Sequence, residues 1–77
     1  MVEYFHVSMY HLPEEQQDGM QKTLDSLLAE HEIEIVNRAA LIPVVSVMAD
    51  SMEKADYIRG LEELGYKIEP YSNELHI

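Results

Sequence analysis

The sequence predicts an α+β domain whose elements follow the order strand, helix, strand, strand, helix, strand. Apolar and aromatic residues alternate every second position in residues 3–11 and 32–36, as in half-buried strands. Over residues 13–31, and again after residue 50, apolar residues recur every three or four positions, as in amphipathic helices. The 77 residues are 47% hydrophobic and 26% charged, a composition typical of an ordered globular chain. We therefore expect residues 1–77 to form a single domain.

The first half of the chain predicts a strand, a long helix and a second strand. Pro13 is suited to the first turn of a helix, and the acidic residues that follow it complement the positive end of the helix dipole. Met20, Leu24 and Leu28 then recur at helical spacing, which predicts a helix from about residue 13 to residue 31. The alternation in residues 32–36 predicts the next strand.

The second half of the chain repeats this pattern in the order strand, helix, strand. Residues 41–49 form a run rich in β-branched side chains, which predicts a strand that is apolar on both sides. Either Asp50 or Ser51 can cap the following helix, and Gly65 is expected to end it in the left-handed conformation. Residues 66–71 predict the last strand, which residues 75–77 either extend or follow as a short extra strand.

This order of elements fits the ferredoxin-like βαββαβ sandwich, a four-stranded antiparallel sheet of order 4-1-3-2 with two helices on one face. The other face, here named the second sheet face, is expected to carry tyrosines and aliphatic side chains. Exposed apolar area of this kind usually marks an interaction, so we expect a second copy of the chain, another protein or a ligand to cover it. The alternative is that residues 73–77 fold back over part of it. The predicted interface residues are Tyr4, His6, Tyr10, Val36, Ile42, Val44, Met48 and Tyr71.

The charge of the chain predicts which partners it can bind. Fifteen acidic residues outnumber five basic ones, which gives a net charge of −10 and opposes direct binding to nucleic acid or to anionic membranes. An acidic helical surface is instead suited to a basic protein partner, and the chain is similar in type to small acidic inhibitors from bacterial viruses. The plain alternative is an acidic surface that only promotes solubility. The predicted acidic residues are Glu14, Glu15, Asp18, Asp25, Glu53, Asp56, Glu62 and Glu63.

The residues that usually carry catalysis or bind cofactors form no recognisable pattern. The absence of cysteine excludes disulfides, thiolate metal sites and thiol nucleophiles. The four histidines match no metal-binding motif, and no phosphate-binding loop or nucleophile motif occurs. We therefore expect no enzyme activity, no cofactor and no metal. The first residues lack the basic and apolar regions of a secretory signal, so we expect a cytoplasmic location.

Residues 49–70 carry one resemblance to known domains. They run from a strand through a capped helix to the segment Leu64-Gly65-Tyr66-Lys67-Ile68, and this half-domain resembles the second half of ACT-type regulatory domains. The resemblance covers less than a third of the chain and implies a dimer that senses a small molecule. The leading prediction is nevertheless a non-catalytic interaction protein that binds a basic protein, forms a homodimer, or does both. Its sharpest form is a stoichiometric inhibitor of a nucleic-acid-handling protein, with the small-molecule sensor as the alternative.

Overall fold

The computed structural model describes residues 2–72 and confirms the predicted fold class. The four strands form an antiparallel sheet of order β2-β3-β1-β4, which is the 4-1-3-2 order read from the other edge. The topology is therefore compatible with a ferredoxin-like sandwich. Residues 75–77, predicted to extend the last strand, lie outside the described residues. The elements are β1 (Glu3–Ser8), α1 (Glu14–Glu30), β2 (Glu34–Arg38), β3 (Val44–Ala49), α2 (Met52–Gly60), a 3-10 helix (Leu61–Leu64) and β4 (Lys67–Tyr71).

The hydrophobic core lies between the helices and one face of the sheet. In the β1–β3 pair, Phe5 is opposite Val47 and Val7 is opposite Val45, and all four side chains are buried. Alternate residues of a strand point to the same face, so these four define the covered face of the sheet. Both helices pack on that face through a set of buried aliphatic side chains, which comprises Leu24, Leu28, Ala55, Ile58 and Leu61.

The second helical segment begins and ends as its sequence predicts. Ser51 rather than Asp50 is the N-cap, since its Oγ accepts a hydrogen bond from the backbone N–H of Lys54 at 3.2 Å. After Gly60 the helix tightens into the 3-10 turn, and Gly65 follows with a φ of 106°. The predicted left-handed C-cap at Gly65 is therefore confirmed.

Two strands are shorter than the sequence predicts. β1 ends at Ser8, so Tyr10 lies in the turn before α1. β3 begins at Val44 rather than at residue 41, because Pro43 has no N–H to donate to a strand ladder. The Pro43 carbonyl instead accepts a hydrogen bond from the Met9 N–H at 3.2 Å. This bond joins the loop before β3 to the turn after β1.

The edge strand β2 departs from simple alternation. Ile35 lies opposite Val47, but the next paired residue, Asn37, lies opposite Ser46, so Val36 is an extra residue in a β-bulge. All five residues of β2 are exposed, including Ile35, which the alternation predicts to be in the core. An edge strand has a neighbour on one side only, and a bulge makes it a poor template for pairing with another strand.

We expect the free energy of unfolding to depend on the buried leucines of α1. Leu28 is 1% exposed, so Leu28→Ala removes buried methyl groups and leaves a cavity, which should lower the free energy of unfolding by about 2–5 kcal/mol. The matched control is Leu64→Ala, because Leu64 is 56% exposed and should contribute less than about 1 kcal/mol. Urea unfolding followed by circular dichroism measures both. Equal losses for the two variants would contradict this description of the core.

We also expect the two glycines around the 3-10 turn to respond in opposite ways to alanine. Gly65 needs a positive φ, so Gly65→Ala should destabilise the fold by about 1–2 kcal/mol. Gly60 has a helical φ of −68° and nothing within 4 Å of an added Cβ, so Gly60→Ala should stabilise it by about 0.4–1 kcal/mol. Thermal unfolding of the two variants measures the difference, and a stabilised Gly65→Ala would refute the left-handed cap.

Candidate functional site

One end of the second sheet face carries an aromatic cluster of Tyr4, His6 and Tyr71. The His6 and Tyr71 rings stack with their centroids 3.8 Å apart and an interplanar angle of 5°, and the Tyr4 ring lies 5.7 Å from that of Tyr71. The sheet register produces this cluster, because Tyr4 is opposite Tyr71 and His6 lies two residues further along β1, on the same face. His6 Nδ1 lies 2.7 Å from the Oγ of Ser46, the residue opposite it on β3. The three side chains of the cluster therefore cover part of the second sheet face.

A groove lies beside this cluster, towards the end of β1. It has a volume of about 360 Å3, and its position follows from the β1–β3 register, in which Ser8 is opposite Val44. The hydrogen bond between Met9 and Pro43 holds the turn after β1 against the loop before β3, and residues of both segments form its walls. The groove is lined by His6, Ser8, Tyr10, Ile42, Val44 and Glu69.

The structure places the residues predicted for the sheet-face interface in three locations, which are the aromatic cluster, the groove and the bulge of β2. Met48 lies opposite Tyr4 near the aromatic cluster, whereas Val36 lies in the bulge of the edge strand and is not a groove residue. Ser8 and Glu69 also line the groove, although they were not predicted as interface residues. Their alternation places them on this face, but their polar character gave no reason to select them. The predicted residues Tyr10, Ile42 and Val44 line the groove together with His6.

The basic residues of the chain are all engaged with its own carboxylates. Each of the five Lys and Arg side chains lies within 4.0 Å of an Asp or Glu oxygen in residues 2–72, and Arg59 contacts two carboxylates. Exposed pairs of this kind contribute little to stability, but they leave these cations less available to a partner. The pairs are Lys22–Asp18, Arg38–Asp25, Lys54–Asp50, Arg59–Glu3, Arg59–Asp56 and Lys67–Glu69.

The remaining carboxylates of residues 2–72 have no Lys or Arg partner within this part of the chain. Of the predicted acidic surface, Asp18, Asp25 and Asp56 are held in ion pairs, and the five glutamates are not. A further run without such partners lies where α1 passes into β2, with Glu30 on the helix and Glu34 on the strand. All eight of these glutamates are exposed: Glu14, Glu15, Glu30, Glu32, Glu34, Glu53, Glu62 and Glu63.

The buried phenols outside the second sheet face hold their protons more strongly than usual. Burial, with smaller contributions from Tyr57 and Asp25, raises the pKa of Tyr66, whose hydroxyl donates a hydrogen bond to the Met20 carbonyl at 2.7 Å. Burial and the charge of Glu30 raise the pKa of Tyr57. The Tyr57 ring stacks on the His31 ring, with the two centroids 3.6 Å apart. A phenol is already neutral near pH 7 at its ordinary pKa, so the raised pKa values reflect the packing of these side chains and do not suit them to acid–base chemistry.

Residues 2–72 bring together no group of three or more His, Asp or Glu side chains that could hold a metal ion. Of the four histidines, His76 lies outside the described range. The Nε2 of His11 lies 3.0 Å from the Gly65 carbonyl oxygen. Within the same range, neither helix has the length and apolar character needed to cross a membrane.

Two surfaces of the molecule are thus candidates for binding. The second sheet face offers an aromatic cluster and a groove, and the exposed glutamates offer negative charge with no Lys or Arg partner in the described chain. No protein-family model matches the chain, and neither a curated protein nor a solved structure does.

Proposed function

We propose that this chain is a non-catalytic binding protein that occupies a basic surface of a protein partner. The observation that carries the proposal is the pairing of every Lys and Arg with a carboxylate of the same chain, which leaves eight exposed glutamates as surplus charge within residues 2–72. A partner that neutralises this surplus must supply cations of its own. Charge complementarity of this kind speeds association and selects the partner.

The class of partner follows from the charge. Nucleic-acid-handling proteins hold phosphates with clustered Lys and Arg, and a compact domain of charge −10 can compete for such a surface. The proposed mechanism is therefore stoichiometric occlusion of a nucleic-acid site, with no covalent step. A cytoplasmic location, where such partners are found, belongs to the same proposal.

Displacement of DNA tests this proposal directly. The probe is a fluorescent DNA duplex bound to each of a panel of purified basic nucleic-acid-binding proteins. We expect the chain to displace the duplex from at least one panel member at a stoichiometric ratio, and its affinity to fall as NaCl screens the charges. No displacement at low salt, or an affinity indifferent to salt, would contradict the proposal.

Charge-neutralising variants locate the surface on the molecule. Glu62→Gln with Glu63→Gln removes two charges from the helical layer and should weaken binding roughly two- to thirtyfold, if each contact is worth about 0.2–1 kcal/mol. The matched comparison is Glu32→Gln with Glu34→Gln, which removes two exposed charges at or just before the start of β2, outside the helical layer, and should weaken binding less. A larger effect of this pair would place the contact on the sheet edge instead.

A second candidate function, small-molecule sensing, is favoured by one cavity of about 390 Å3. This volume is within the usual range for ligand sites, and Arg59 lies there with its guanidinium 5.4 Å from the Phe5 ring centroid. The cavity lining thus combines positively charged, negatively charged and apolar side chains, which is what a zwitterionic ligand would require. The cavity is lined by Glu3, Phe5, Arg59, Glu62, Ile68 and Pro70.

A thermal-shift screen of amino acids, nucleotides and divalent metals tests this second candidate. A ligand present at a hundred times its dissociation constant should add about 2.7 kcal/mol to the free energy of unfolding. Arg59→Gln should abolish the shift, whereas Arg38→Gln removes an arginine that is also paired with a carboxylate and should preserve it. No shift with any compound would count against the sensor.

A further inference from the structure

The loop between β2 and β3, residues 39–43, exposes apolar side chains next to the groove. Leu41 is 96% exposed and Ile42 is 55% exposed, and Ile42 also lines the groove. An isolated exposed leucine needs no explanation, but here an almost fully exposed one adjoins a concave apolar site. The same chain therefore carries a projecting apolar group and a recess of suitable size.

We propose that two copies of this chain associate through a reciprocal contact, in which the loop tip around Leu41 of each copy enters the groove of the other. A two-fold interface uses the same surface of both copies. The projecting loop tip and the groove that receives it must therefore both belong to one surface of the chain. Leu41 is directly bonded to a groove residue, so consecutive Cα atoms are only about 3.8 Å apart there. If the two-fold axis of the dimer passes beside the loop, the two loop–groove contacts form one continuous interface.

Two of the polar side chains that line the groove, His6 and Glu69, already have partners within the chain. His6 already has Ser46 as its hydrogen-bond partner and Tyr71 stacked on its ring. Glu69 is the only carboxylate in the groove, and its Oε1 lies 3.3 Å from the Lys67 ammonium. The hydroxyls of Ser8 and Tyr10 also line the groove, and the entering loop would have to offer them a hydrogen-bond partner such as a backbone carbonyl.

The charges of the molecule also favour this groove as the place where the loop binds. A second cavity, of about 310 Å3, is lined by Leu41 itself together with Glu14 and Asp18, and these carboxylates make it a less suitable recess than the groove for the leucine of a partner copy. Glu34 is on the second sheet face but lies opposite Met48, four residues along β3 from the groove residue Val44. The helices lie on the opposite side of the sheet from the groove, except that Glu14 and Asp18 of α1 lie close to the loop that would enter the partner's groove.

The proposed dimer has its own dependence on concentration and salt. A stable interface usually takes about 20–30 residues from each partner, more than the loop and groove provide, so the dimer should dissociate on dilution. Each copy has a charge of −10, so added NaCl should strengthen the contact by screening their repulsion. This inference does not rest on the proposed binding to a basic partner. Salt distinguishes the two, because the complex with a basic partner should weaken as salt rises, whereas the dimer should become stronger.

Sedimentation of the full chain at increasing concentration and NaCl tests the proposal. The wild type should move from the mass of one chain towards that of two, more readily at high salt. Leu41→Ser should weaken self-association at least about a hundredfold, since each dimer loses two buried leucine side chains. Leu64→Ser is the matched control, because this leucine is also exposed but lies after α2, and it should behave as the wild type.

A mixture of two variants tests the reciprocal geometry. Tyr10→Ser alters the groove of each copy, and Leu41→Ser alters the loop of each copy, so each variant alone has no intact contact. Their mixed dimer keeps one intact contact, between the normal loop of one copy and the normal groove of the other. We therefore expect the mixture to associate more strongly than either variant alone, with circular dichroism confirming that both are folded.

Three outcomes would overturn the proposal. A wild-type chain that stays monomeric at high salt would leave the groove to a small molecule or to a different protein. A dimer unaffected by Leu41→Ser would mean that another surface joins the copies. If the mixture of variants associates no more strongly than either variant alone, the reciprocal contact is excluded.

Discussion

The register of the β1–β3 pair is the constraint on which both the hydrophobic core and the groove depend. It places Phe5 opposite Val47 under the helices, and it therefore places His6 opposite Ser46 on the other face. A shift of one residue would exchange the two faces, moving the aromatic side chains into the core and the core residues into solvent. Burial of the helix-facing residues thus stabilises the core and also positions the groove.

Patterns within single elements predicted the fold because each reports a local requirement. Alternation in β1 follows from a strand with one covered face, and Gly65 follows from the need for a positive φ at a helix end. The bulge at Val36 has no comparable signal, because it depends on how β2 pairs with β3. The alternation likewise predicts too late an end for β1 and too early a start for β3, since Tyr10 and Ile42 continue the apolar pattern beyond the paired residues.

The candidate site was predictable as a face but not as a groove. Period-two alternation assigns His6 and Val44 to the same side of the sheet, whereas the groove also needs the turn and the loop to meet. That meeting depends on the Met9–Pro43 hydrogen bond, between segments far apart in the sequence. The ion pairs have the same origin: Arg59 reaches Glu3 across 56 residues, so the sequence shows an excess of acid without showing which acids lack partners.

The apolar and acidic surfaces are coupled through the layout of the sandwich. Since the helices and the groove occupy opposite sides of the sheet, a dimer joined through the groove carries an acidic helical layer on each outer side. Two such layers on one particle can engage two basic sites, and linked contacts bind more tightly than either contact alone when the geometry permits both. Added salt should strengthen the proposed dimer and weaken the proposed contact with a basic partner, so binding by the dimer should vary less steeply with ionic strength than binding by a monomer.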